Sequence, residues 1–161
     1  MNNEPASPVC HAAQADDMYM GYAGKDEIAA VLNELLEAER ASVRIVLKGK
    51  SSPADPATAR LMAAIDRDAI KWCALLASQI KRIGAIPSRR RGACDDQAIT
   101  ITDAYERLSV LTRVQVRKLG ELIPRVRDDA LHATLSEMKA RHVENILLTE
   151  QCISLWASQA G

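Results

Sequence analysis

Four polar side chains stand inside rows of apolar residues at helical spacing, and their types suit metal binding or buried hydrogen-bond networks. They are Glu39, Asp68, Gln115 and His142, with Asn145 one turn after the histidine. Each stands near the middle of its row, so four packed helices would bring them to one height. Because an unpartnered buried charge is costly, these groups are expected either to satisfy one another or to hold a ligand.

Two kinds of site fit these residue types. Glu39, Asp68 and His142 could form a two-carboxylate, one-histidine site for a single iron, manganese or zinc ion, whose open position would support redox or oxygen chemistry. Alternatively, they could form a structural hydrogen-bond network, with Arg113 or Arg44 supplying positive charge. Buried polar groups are generally paired within the protein, so the network is favoured, and it implies a non-catalytic module.

The apolar rows define the elements that must position these residues. Apolar residues recur at spacings of three and four, which predicts helices at about 25 to 48, 57 to 83, 103 to 124 and from 129 onward. Pro56 suits the first turn of the second helix, and Asp128 or Asp129 caps the fourth. Four helices with one apolar stripe each bury those stripes by forming a four-helix bundle, so the predicted fold class is all-α.

The connection between the second and third helices is long enough to set the topology. Ala85 to Thr102 is 18 residues, which reach about 60 Å when extended, whereas a 27-residue helix is only about 40 Å long. With short connections elsewhere, this predicts two antiparallel hairpins joined by a crossover. If Asp95 to Ile101 instead extended the third helix backwards, the loop would be too short to cross, and the bundle would be up-down-up-down.

The chain resembles the ferritin-like superfamily, and within it a group of small bacterial proteins of unassigned function. The resemblance covers about residues 15 to 147 and is carried by these stretches: Ala15-Asp16-Asp17, Met20-Gly21-Tyr22, Asn33 to Arg40, Arg67-Asp68, Trp72-Cys73, Gly84 to Ser88, Glu106-Arg107-Leu108, Leu122 to Asp129, Met138, His142 and Asn145-Ile146. It implies a ferritin-like four-helix bundle with a long connection between helices two and three. It implies no particular reaction.

Iron-handling members of that superfamily bind two metals with one Glu from each of two helices and a Glu-x-x-His motif from each of the other two. Glu39 suits a first-helix ligand position. Both Glu-x-x-His motifs are missing, because Lys71 follows Asp68 by three residues and Lys139 precedes His142 by three. The resemblance therefore implies the fold without a di-iron centre.

Composition argues against several classes of function. Lys plus Arg and Asp plus Glu are both 21, so net charge gives no reason to expect a nucleic-acid partner. The longest apolar run, Trp72 to Ala77, is six residues, far below the roughly 20 that a bilayer requires, so no membrane partner is expected. No secretory signal pattern is found at the amino terminus, which predicts a cytoplasmic location.

The remaining expectations concern the ends, the core and the surface. Residues 1–17 are expected to form a flexible tail before a bundle over 18–161, with the segment Met18 to Tyr22 lying against the bundle. Two tryptophans and two cysteines are expected in the core: Trp72, Trp156, Cys73 and Cys152. The arginine run 89–91, with Lys81 and Arg82, is either a solvated loop or a docking patch for an acidic partner or an anion.

The predicted function is therefore a degenerate, non-catalytic ferritin-like module that acts through a protein partner or through self-association, for instance as a homodimer through an outer helix face. The alternative is a single-metal oxidoreductase that uses iron or manganese held by Glu39, Asp68 and His142.

Overall fold

The computed structural model describes residues 19–95 and 97–161, which form four long helices and no strand. The helices are α1 (Lys25–Gly49), α2 (Pro56–Arg82), α3 (Ile101–Leu122) and α4 (Asp129–Gln159), and a 3-10 turn at Ile123–Arg125 follows α3. The all-α prediction is confirmed, and the bounds lie within two residues of those predicted. The predicted tail at 1–17 lies outside the described residues.

Three of the helices begin at side-chain caps. The Asp55 carboxylate accepts from the backbone N–H groups of Ala57 and Thr58, in front of Pro56 in the first turn. Thr100 and Asp103 form a reciprocal capping box at the start of α3. Asp128 accepts from Leu131 N–H at the start of α4. Such caps satisfy the orphan donors of a first turn.

Neighbouring helices run antiparallel. Gly84 at the end of α2 lies beside Lys25 at the start of α1, whereas Gly49 at the end of α1 lies against Ala104 near the start of α3. α1 therefore packs between α2 and α3, and α4 packs against the same two helices from the other side. The connection between α2 and α3 begins at one end of the bundle and finishes at the other.

This crossover runs along α1 and is held there by polar side chains of that helix. Asn33 donates to the carbonyl of Ile86, Arg40 donates to the carbonyl of Ser88, and Arg44 donates to the carbonyl of Cys94. Side-chain donors on α1 thus satisfy backbone carbonyls of the crossover that would pair with a neighbouring strand in a sheet. The predicted long connection is confirmed, and the up-down-up-down alternative is not adopted.

The apolar core consists of two clusters, one in each half of the bundle. One cluster contains Trp72 and the leucines of the α1 amino-terminal half. The other contains Tyr105, Met62 and Val46. The polar side chains singled out in the sequence lie between these clusters, so they separate two apolar halves.

Three of the four residues expected in the core are not fully buried. Trp72 is buried as predicted, Cys73 and Trp156 are half-buried and pack against the apolar clusters, and Cys152 is half-buried. Trp156 lies in the last turns of α4, where its ring packs on Tyr105 at 5.2 Å between centroids. Helix ends have fewer neighbours than helix centres, which leaves one side of such a ring in water.

The segment before α1 also differs from expectation. Tyr19 and Met20 are 90% and 69% exposed, so the prediction that they lie against the bundle was wrong. Tyr22 is half-buried, and Ala23, whose N–H donates to the carbonyl of Arg125, is the first buried residue of the part of the chain that the structure describes. Met18 lies outside the described residues.

None of the helices in the described part of the chain combines the length and the apolar character of a membrane span.

Candidate functional site

Glu39 on α1 forms the centre of a buried hydrogen-bonded triad. Its Oε1 accepts from Gln115 Nε2 on α3 at 2.7 Å and lies 2.8 Å from His142 Nε2 on α4. Since an ionised carboxylate can only accept, the imidazole donates from Nε2. All three residues are at most 4% exposed. Three helices therefore meet at one carboxylate.

Asp68 on α2 forms a second, separate cluster. Its Oδ2 accepts from Arg141 Nε at 2.7 Å and from Asn145 Nδ2 at 3.0 Å, and its side chain is 18% exposed. Arg141 also pairs with Glu144 at 2.7 Å. Charged hydrogen bonds at the edge of the bundle thus satisfy the second carboxylate.

Arg141 is the residue of the second cluster that was not predicted from the sequence. Arg113 and Arg44 were the proposed cations, but Arg113 pairs with Glu150 and Arg44 binds carbonyls of the crossover. The signal was available, because Arg141 stands four residues before Asn145 and directly before His142, at the border of the buried face of α4.

The two clusters line one small cavity, to which Glu39, Asp68, Gln115, His142 and Asn145 all contribute. The space open to the centre of a water molecule is about 20 Å³, which is room for about one water. Two buried acceptors, Gln115 Oε1 and Asn145 Oδ1, bind no other described residue. The cavity therefore has room for one water molecule, and two of the residues that line it carry a buried oxygen with no described partner.

The residues do not fit a di-iron centre. Among the described residues, no three His, Cys, Asp or Glu side chains come together as a metal site. Asp68 lines the same cavity as the Glu39–His142 pair, but it is bound to a guanidinium cation. The triad and the Asp68 cluster together form a polar layer across the bundle. Two metal ions need several anionic ligands, whereas this polar layer offers two carboxylates, both hydrogen-bonded to protein donors.

The negative charge of Glu39 affects the pKa of a neighbouring cysteine. The pKa of the Cys73 thiol on α2 is raised to about 11, chiefly by burial and also by the Glu39 carboxylate, while Arg40 acts in the opposite direction. On the other side, the ring of Trp72 meets His142 edge-on at 6.4 Å between centroids. Cys73 and Trp72 are therefore the neighbours through which a change in this triad can be followed.

A family model described as "Domain of unknown function (DUF6306)" matches residues 26–151. The chain belongs to this family. The match begins in the first turn of α1 and ends inside α4, before its last turns, so it covers most of the bundle, including the polar layer.

Solved structures show the same fold. A conserved hypothetical protein, rv2844, from Mycobacterium tuberculosis aligns with a TM-score of 0.71 at 12% identity, covering 83% of this chain and 95% of that one. The M. tuberculosis bacterioferritin BfrA aligns with a TM-score of 0.67 at 18% identity, covering 85% and 89%. Ferritin-like diiron-carboxylate proteins from Bacillus anthracis str. Ames align with a TM-score of 0.57 at 14% identity, covering 85% and 97%.

These identities are too low to carry activity from one chain to another, so they show the fold alone. No curated protein matches the chain significantly. The ferritin-like fold predicted from the sequence is confirmed, and the chain is a ferritin-like bundle of a family without an assigned function.

Proposed function

We propose that this protein is a non-catalytic ferritin-like module in which a hydrogen-bond network replaces a metal centre, and that it acts by binding a protein partner. One observation carries the proposal: both carboxylates of the layer are already satisfied by protein donors. Glu39 accepts from Gln115 and His142, and Asp68 accepts from Arg141 and Asn145. Buried polar groups paired in this way have a structural role without any added ligand.

Metal analysis tests the first half of this proposal. Protein purified without added metal is expected to contain no stoichiometric iron, manganese or zinc by elemental analysis. The His142→Ala variant is expected to lose roughly 1 to 3 kcal/mol of unfolding free energy, because Glu39 loses a buried donor. His132→Ala on the same helix is the matched control, since His132 is exposed, and it should change stability by less than about 0.5 kcal/mol. Stoichiometric metal that disappears in His142→Ala would refute the proposal.

A single-metal oxidoreductase is the second candidate. It is favoured by the two unpartnered buried oxygens, Gln115 Oε1 and Asn145 Oδ1, which would suit a cation as well as a water. Iron or manganese would be held by Glu39, Asp68 and His142, and it would supply redox chemistry when bound. Asp68 would have to release Arg141, so the Arg141→Gln variant should bind manganese more tightly than wild type if this candidate is correct.

For the partner, we propose a second copy of the chain, docked on the outer face of α3 and α4. A groove of about 380 Å³ there is lined by Val116, Val143, Ile146 and Leu147, with Arg113, Arg117 and Glu150 around it. Leu147 is 56% exposed. Arg113 and Glu150 already pair within the chain, so the rim carries little unbalanced charge, and the exposed apolar centre can meet the same patch of a second copy across a two-fold axis.

Sedimentation equilibrium tests this partner. Wild type is expected to dimerise and Leu147→Glu to be monomeric, because the substitution would bury a carboxylate against an apolar surface. Leu47→Glu is the matched control: Leu47 is the same residue type at 59% exposure on α1, and its variant should keep the wild-type state. A monomeric wild type, or equal loss in both variants, would exclude this interface.

A further inference from the structure

A second groove lies between α1, α2 and the crossover, and neither the polar layer nor the proposed dimer face uses it. Its volume is about 500 Å³, which is within the usual range for small-molecule sites. It is lined by four arginines and three apolar residues: Arg40, Arg44, Arg89, Arg91, Val43, Ile70 and Cys73. None of the described acidic residues contributes to this lining.

The backbone that carries Arg89 and Arg91 is fixed to α1 on both sides. Ser88 N–H donates to Asn33 Oδ1 at 2.6 Å, and the Arg40 guanidinium donates to the carbonyls of Ser88 and Arg90 at 2.6 and 2.8 Å. The two groove arginines are therefore presented by an anchored segment and not by a free loop.

Gly92, which follows Arg91, allows the end of this segment to lie in close contact with α1. It has a φ of 72°, and a Cβ placed there would overlap the Glu37 carbonyl oxygen, so the backbone lies directly on α1. In an extended segment, alternate residues face the same side. Accordingly, Arg89 and Arg91 line the groove, while Arg90 between them does not.

The charges of the groove differ from those expected from the sequence. Arg82 was grouped with the arginine run, but it forms a two-bond ion pair with Asp128 at 2.7 and 2.9 Å. The guanidinium groups of Arg89 and Arg91 make no hydrogen bond or ion pair with any described residue. Two cations held at one groove repel each other, and an anion between them removes that repulsion.

The apolar residues of the groove favour a ligand that carries an apolar chain besides its anionic group. Ile70 on α2 is 55% exposed, and Val43 and Cys73 are half-buried beside it. An apolar chain laid over these residues would be removed from water together with them. Guanidinium groups bind planar carboxylates by paired hydrogen bonds.

We infer that this groove binds a small amphiphilic carboxylate, with its head between Arg89 and Arg91 and its apolar chain over Ile70. The inference does not depend on the proposed function, because the groove shares no residue with the polar layer or with the α3–α4 face.

Calorimetric titration with decanoate below its micelle concentration tests the inference. One decanoate should bind per chain, while decanol, which lacks the charge, and acetate, which lacks the chain, should each bind at least about tenfold more weakly. Arg89→Gln and Arg91→Gln should each weaken decanoate binding about tenfold, because a charged hydrogen bond is lost. Arg90→Gln is the matched control and should leave the affinity unchanged.

Thiol protection locates the bound decanoate. Cys73 lines the groove and Cys152 does not, so decanoate should slow iodoacetamide labelling of Cys73 alone, as read by peptide mass spectrometry. Absence of decanoate binding, equal binding of decanol, or an equal loss in Arg90→Gln would each overturn the inference. Binding only to vesicles of anionic phospholipid, without binding of monomeric decanoate, would also overturn it.

Discussion

Gln115 decides what the Glu39 carboxylate can do. Its amide places a donor, Nε2, 2.7 Å from Glu39 Oε1. A glutamate at the same position would place two carboxylates at that distance, and they could not both ionise without a cation between them. Because Gln115 supplies a neutral amide, the polar layer needs no bound metal ion.

The Gln115→Glu variant tests this role. It should be less stable than wild type by about 3 kcal/mol at pH 7, since a donor is replaced by a second charge. The pair would share a proton, which raises the pKa of one carboxyl in the folded state above its unfolded value of about 4.3. The deficit should therefore be small below about pH 4 and grow as the pH rises.

Urea unfolding at several pH values measures this deficit. Gln115→Met is the matched control, because it removes the donor without adding a charge, and its deficit should not grow with pH in this way. A Gln115→Glu variant whose stability follows wild type at all pH values would show that Gln115 is not needed as a donor.

Cys73 provides a residue-scale probe of the charge on Glu39. With its pKa raised to about 11, the thiol should react with iodoacetamide at pH 8 about a hundredfold more slowly than a thiol with the ordinary pKa of 9.0. Glu39→Gln should speed the reaction, because the negative charge that raises this pKa is gone. Arg40→Gln should slow it, because Arg40 lowers the pKa. The same direction of change in both variants would contradict this account.

At the scale of elements, the crossover is the feature that makes the topology, and Gly92 is where it touches α1 most closely. A side chain there faces two separate penalties: a backbone at φ 72° and overlap with the Glu37 carbonyl. Gly21 carries only the first penalty, since its φ is 81° and nothing lies within 4 Å of a Cβ built on it.

The two glycines therefore form a matched pair of variants. Gly21→Ala should cost about 1 to 2 kcal/mol of unfolding free energy, from the left-handed backbone alone. Gly92→Ala should cost roughly 1 to 3 kcal/mol more, because the crossover must move away from α1. Equal losses in urea unfolding would show that the crossover is loosely attached.

The elements could be predicted because their signals are local. Apolar spacing gave the helix bounds, and chain length gave the crossover. The start of α3 at Ile101 is also encoded, in the Thr100–Asp103 capping box, although apolar spacing alone predicts this start at about 103. Which donor meets which carboxylate depends on how each helix is rotated in the bundle. Spacing alone therefore placed Asp68 in the layer without revealing its partner, Arg141.

At the scale of the whole molecule, the polar layer interrupts an otherwise continuous core. One apolar cluster contains Leu32 and Trp72, the other contains Tyr105 and Met62, and the Glu39 triad lies between them. Replacing buried polar groups together by apolar residues of similar size is often neutral or stabilising, whereas removing one partner alone is costly.

The combined variant Glu39→Leu, Gln115→Leu and His142→Leu should therefore be at least as stable as wild type in urea, although His142→Ala alone is less stable. The layer would then serve to fix how the four helices align, because a purely apolar seam allows them to slide. Near-UV circular dichroism of Trp72 and Tyr105 measures this alignment, and the combined variant should lose part of that signal. A combined variant less stable than His142→Ala would mean that the network itself contributes net stability, and the alignment role would be unnecessary.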